Sequence, residues 1–173
     1  MPEPKTPLDN QPRLYNFVLN PYPEERLSSC PFCGKRTGQR KVPLFIHIDP
    51  FYPVALNYTC RYCKACDLLI GHKHEIELLL TGMFRQRNPD VIGNEYLIMG
   101  TLDKQAWREG LARPMSIAEG MSHVHVFKTY YKELRMTQPG WYPAGQEPPI
   151  ASPPPSADWI KPKRRRPARR RRK

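Results

Sequence analysis

Five cysteines fall in two clusters, and their spacing limits the possible folds more than any other feature of the 173-residue chain. The first is Cys30-Pro-Phe-Cys33-Gly34; after 26 intervening residues comes Cys60-Arg-Tyr-Cys63-Lys-Ala-Cys66. Two residues between thiolates allow both sulfurs of a tight turn to face one metal ion at about 2.3 Å. The glycine after Cys33 permits the turn that aims backbone amides at sulfur. A redox pair of the thioredoxin kind needs one C-x2-C in a β-α-β setting, and here two clusters lie far apart without that pattern. Paired turns and a long gap favour zinc over an iron–sulfur cluster. Four thiolates leave no open coordination position, so one Zn2+ bound this way is structural.

Over residues 28–72 this arrangement resembles the zinc ribbon, in which two C-x2-C knuckles at the tips of β-hairpins clamp one zinc ion. The CPFCG segment is the most specific part of the resemblance. The second knuckle has two solutions. Cys63-Lys-Ala-Cys66 runs into Asp67-Leu-Leu-Ile as a knuckle runs into its strand, although Asp67 stands where a ribbon often has glycine. Cys60-Arg-Tyr-Cys63 follows Asn57-Tyr58-Thr59, which also suits a strand leading into a knuckle. The preferred ligands are Cys30, Cys33, Cys63 and Cys66, with Cys60 as a spare or alternate; either solution keeps Cys63.

Proline marks the expected ends of the folded region. Of 21 prolines, six lie between Pro2 and Pro23 and nine between Pro139 and Pro167, a density incompatible with regular structure there. The expected division is a Pro-rich, disordered N-terminal arm (1–23), a zinc-ribbon unit with a following helix (24–87), a compact α+β segment (88–143), and a disordered Pro-rich linker with an Arg-rich tail (144–173). Residues 142–158 read as an extended, polyproline-like spacer. The fold class is α+β. Strands are expected at 41–49, 54–59, 67–72 and 95–101, and a final segment at 124–137 alternates like a strand, with a helix as the open alternative. Helices are expected at 74–84, with Ile76, Leu79, Leu80 and Met83 at helical spacing, at 103–112, and at 116–123, where Ser116 and Glu119 have capping-box spacing. The second segment thus reads β-α-α-β.

The net charge of +12, from 28 Lys and Arg against 16 Asp and Glu, belongs to one end. Residues 161–173, KPKRRRPARRRRK, carry ten positive charges and no negative one, leaving 18 against 16 elsewhere. Lys163, Arg164, Arg165, Arg166, Arg169, Arg170, Arg171, Arg172 and Lys173 are the expected contacts to nucleic-acid phosphates, salt-sensitive and largely sequence-independent. DNA and RNA fit this tail equally. Arg40, Lys41, Arg61 and Lys64, interleaved with Tyr58 and Tyr62, form a possible basic-aromatic face beside the knuckles.

Other residues carry weaker signals. The pairs His72/His74 and His123/His125 read as ordinary solvated histidines unless the fold brings them together, and His47 reads as a packed strand residue. Trp107 reads as a core anchor. There is no nucleophile–base frame, no paired-carboxylate frame and no phosphate-cradling glycine loop, so the expectation is a protein without catalytic activity. No window approaches a membrane span, and the first residues lack a secretory pattern, which points to a reducing compartment, cytoplasm or nucleus/nucleoid. The leading reading is a zinc-stabilised nucleic-acid-binding protein. Its rival is an assembly subunit that docks through the ribbon and the Trp107/Tyr130/Tyr131 region, its tail on an acidic partner.

Overall fold

The computed structural model describes residue 8 and residues 10–152. Seven strands form one sheet: β1 (Asn16–Asn20), β2 (Gly38–Ile48), β3 (Tyr52–Cys63), β4 (Leu68–His72), β5 (Tyr96–Leu102), β6 (Val124–Val126) and β7 (Tyr130–Tyr131). Three helices accompany them: α1 (Lys73–Arg87), α2 (Lys104–Ala112) and α3 (Ile117–Ser122). The strand order is β6-β5-β2-β3-β4-β1-β7. The long β2–β3 hairpin at its centre pairs antiparallel from Gly38 opposite Tyr62 to Ile48 opposite Tyr52.

Side chains alternate across a strand, and this sorts the core into two faces. On one face Phe17, Leu19, Val42, Leu44, Ile46, Leu56, Tyr58, Cys60 and Leu69 pack with Ile76, Leu80 and Phe84 of α1. On the other, Val18, Leu68 and Ile70 meet Cys30, Cys63 and Leu134 near one edge. Towards the opposite edge of that second face, Phe45, Leu102 and Val124 pack against Trp107 and Met121 of α2 and α3. The sheet is therefore a middle layer, with α1 on one side and the cysteine turns and short helices on the other.

Strand, two helices and strand follow in the expected order in the second segment, but the final stretch, read as alternating over 124–137, is two short strands, β6 and β7, at opposite edges of the sheet; Ser116 Oγ caps α3 by accepting from the Glu119 amide at 3.1 Å. Several expectations are corrected. The segment 1–23, read as an arm, contains β1, whose Phe17, Val18 and Leu19 are buried. Pro12, Pro21 and Pro23 flank this strand without entering it, so it needs no proline amide. The expected division near residue 88 crosses a continuous sheet, because β2 pairs with β5. The expected spacer starts by folding back: Tyr22 Oη donates to the Ala151 carbonyl at 2.9 Å, and the Ala151 amide donates to Met136 O at 2.7 Å. In α1 the buried stripe runs through Ile76, Leu80 and Phe84 and turns towards Glu77 and Thr81. Leu79, expected inside, is 47% exposed.

Candidate metal centre

Both cysteine turns are built by backbone geometry that the local sequence permits. A single bridge pairs Ser29 with Arg36, and within it the Cys30 amide donates to Lys35 O at 2.8 Å and the Gly34 amide to Cys30 O at 2.9 Å. Gly34 has φ +73°, the left-handed region glycine enters without strain. The Phe32 amide points at Cys30 Sγ, 3.4 Å away, the type of contact that stabilises a metal-bound thiolate.

The second turn joins β3 to β4. Asp67, where a glycine was expected, adopts φ +47°. Aspartate is among the few side chains that tolerate this region, because its short polar group bonds locally. Here Oδ1 accepts from Tyr62 Oη at 3.3 Å and Oδ2 pairs with Lys128 Nζ at 3.3 Å. Asn16 of β1 ties the turn down further: its amide donates to Asp67 O and its Nδ2 to Cys66 O, at 2.8 and 2.9 Å.

Together these turns place one sulfur from each of Cys30, Cys33, Cys63 and Cys66 within 4.8 Å of one another. Cys33 and Cys63 sulfurs are 3.5 Å apart, close to the spacing of about 3.8 Å between thiolates on a tetrahedral ion with 2.3 Å bonds. The donor set fits a metal that takes four sulfurs. Cys30 and Cys63 are buried, Cys66 is half-buried and Cys33 faces outward. The Lys35 amide lowers the Cys33 thiol to about 7, which favours its thiolate form. Sharing hydrogen bonds with Cys33, ahead of desolvation, raises Cys66 to about 12. Burial raises Cys30. Four neighbouring sulfurs cannot all hold negative charge without a cation between them, which is what metal binding supplies.

Cys60 is outside the cluster. It is fully buried on the α1 face, and desolvation pushes its thiol well above the ordinary range. The reason is the period of the strand: β3 extends through Cys63, and residues three apart on a strand face opposite sides. The alternate knuckle Cys60–Cys63 is therefore geometrically closed.

The same alternation divides the expected basic-aromatic face. Arg40 lies on the α1 side, its guanidinium 4.0 Å from the Tyr62 ring centre and donating to Tyr15 Oη at 2.9 Å. Tyr58 is buried there and donates to Glu75 Oε2 at 2.6 Å. Lys41 and Arg61 alternate to the other side. Trp107 and Tyr130 do not share a surface either: Trp107 packs on the α2/α3 side, while Tyr130 packs against the core of the α1 face.

The histidine pairs stay apart, since β6 and β4 have three strands between them. His72 Nδ1 meets Asn20 Nδ2 at 3.2 Å, and burial lowers its pKa, both consistent with a neutral ring accepting from the amide. His125 Nδ1 lies 2.8 Å from Pro12 O, and His47 lies 3.7 Å from Asp49. Among the described residues the four cysteines are the only group of three or more His, Cys, Asp or Glu side chains that converges on a metal position. No described helix is long and apolar enough to cross a membrane. The expected phosphate contacts from Lys163 to Lys173 lie outside the described residues. No family model, no curated protein and no solved structure matches the chain.

Proposed function

We propose that Cys30, Cys33, Cys63 and Cys66 hold one structural zinc ion in a ribbon-like pair of knuckles, and that the protein is a non-enzymatic nucleic-acid-binding protein. The convergence of the four sulfurs carries the first half. Zinc suits the site because it favours tetrahedral thiolate coordination and has no redox chemistry of its own. Bound there, it pins the β1–β2 connection to the β3–β4 turn. The second half rests on charge: ten positive residues in the last thirteen, without a counter-charge, make a polyanion the natural partner.

A second reading has an observation of its own. Phe51, Leu111 and Ile117 are 81%, 70% and 59% exposed around adjoining clefts between the sheet and α2–α3, as on a surface that docks another protein.

One experiment separates the two. The full chain and a chain ending at Ile160 are titrated with DNA and RNA across a salt series centred at about 0.15 M, with zinc measured in both. Tight binding that falls steeply with salt and is strongly weakened by truncation supports nucleic-acid anchoring by the tail. Absence of nucleic-acid binding in both chains refutes it and favours docking. Zinc far below one per chain refutes the metal assignment.

A further inference from the structure

On the sheet face that carries the cysteine turns, the knuckle end and the α2–α3 end leave a strip of the β2–β3 hairpin uncovered. Where this strip meets α2, a cleft of about 140 Å³ is lined by Lys41, Pro43, Asn57, Lys104, Trp107 and Arg108. Three of these are cations, none is an acid, and the side chains of Lys41, Lys104 and Arg108 have no hydrogen-bond or ion-pair partner among the described residues. The acids on or beside α2 do not line the cleft: Asp103 caps the helix on the Gln105 amide, and Glu109 accepts from the Gln105 side chain. Three cations without an ion-pair contact that line one concavity repel one another, and an anion relieves that repulsion.

Two features point to a polymer in preference to a small phosphate. The polar strip continues beyond the cleft: by strand alternation Thr59, opposite Lys41, and Arg61, opposite Gln39, lie on the same face and lead towards the cysteine turns. Trp107 packs against Phe45, Leu102 and Val124 on one side and lines the cleft on the other, giving an indole held in place beside the cations. A cationic track beside a fixed aromatic ring is the usual means of holding single-stranded nucleic acid, with phosphates on the cations and a base on the ring. We propose that this cleft and the strip leading from it are the folded body's own contact for single-stranded nucleic acid. The inference rests on the nucleic-acid reading above and adds a site on the body to the one on the tail.

The test uses the full chain with Trp141→Phe and Trp159→Phe, so that Trp107 is the sole tryptophan, titrated separately with a uridine oligomer of about twelve nucleotides, a DNA duplex of similar length and inorganic pyrophosphate. The expected result is Trp107 quenching by the single strand. Lys41→Ala/Lys104→Ala/Arg108→Ala should weaken binding at least tenfold and reduce the salt slope by about 2, with zinc content unchanged. Unaltered affinity in the triple variant, or oligomer binding without a Trp107 signal, overturns the cleft while leaving tail binding intact. Quenching by pyrophosphate or duplex and not by the single strand overturns the assignment of its ligand. No binding of any nucleic acid by the full chain removes the functional reading itself.

Discussion

Cys60 and Cys63 differ by three positions and by everything that decides their chemistry. One thiol lies in the hydrophobic core of the α1 face with its pKa raised by burial; the other shares a donor cluster with three sulfurs. Period-two alternation would have separated them in the sequence, but only once the strand was known to reach Cys63. The β-rich signal at 54–59 stops short of that, so the choice between knuckles stayed open. The left-handed Asp67 was equally hidden, because aspartate marks a positive φ far less clearly than glycine does. Cys60→Ala is expected to keep one zinc per chain and lose about 1–2 kcal/mol of stability from its buried site, whereas Cys63→Ser should lose the metal. Zinc analysis and denaturant unfolding of both variants check this, and equal zinc loss in both would contradict it.

Most strands and helices inside the proline-poor region were legible because they satisfied their own periodicity, whereas 124–137 splits into β6 and β7 with different partners. β1 was not legible, since a five-residue strand close to prolines offers little pattern and its burial depends on β4 and β7, which lie far away in sequence. Leu79 shows the opposite failure: its helical spacing was sound, but the face was set by where β4 delivers α1 to the sheet. β5 contains a further feature with no sequence signature. Its register against β2 shifts between Phe45 and Ile46, leaving Met99 as an extra residue next to Gly100. A methyl group on Gly100 would collide with the His125 carbonyl of β6, so glycine is required there for close strand approach. Gly100→Ala should cost about 1–3 kcal/mol and disturb β6 pairing, seen as a lower urea midpoint with zinc content unchanged. An unchanged midpoint would show that β6 shifts freely.

For the molecule as a whole, the metal centre and the larger core lie on opposite faces of one sheet. Chelation is therefore expected to loosen the cysteine turns, around residues 27–37 and 63–68, while the α1 face keeps its protected amides. Hydrogen exchange with and without chelator reads this directly; uniform loss of protection would mean that the metal holds the entire fold. Two units were expected because the cysteine clusters belong to the first half and Asn88-Pro89-Asp90 breaks the chain, but β2 pairs with β5 across that break. Order of synthesis gains a consequence from the same topology. β1 is made first, yet its partners on either side are β4 and β7, and Tyr22 just beyond it bonds to Ala151. A chain emerging from the ribosome must hold Phe17, Val18 and Leu19 without their final neighbours until nearly all of the described residues have appeared. That exposed apolar stretch is the natural place for a chaperone to act on the nascent chain.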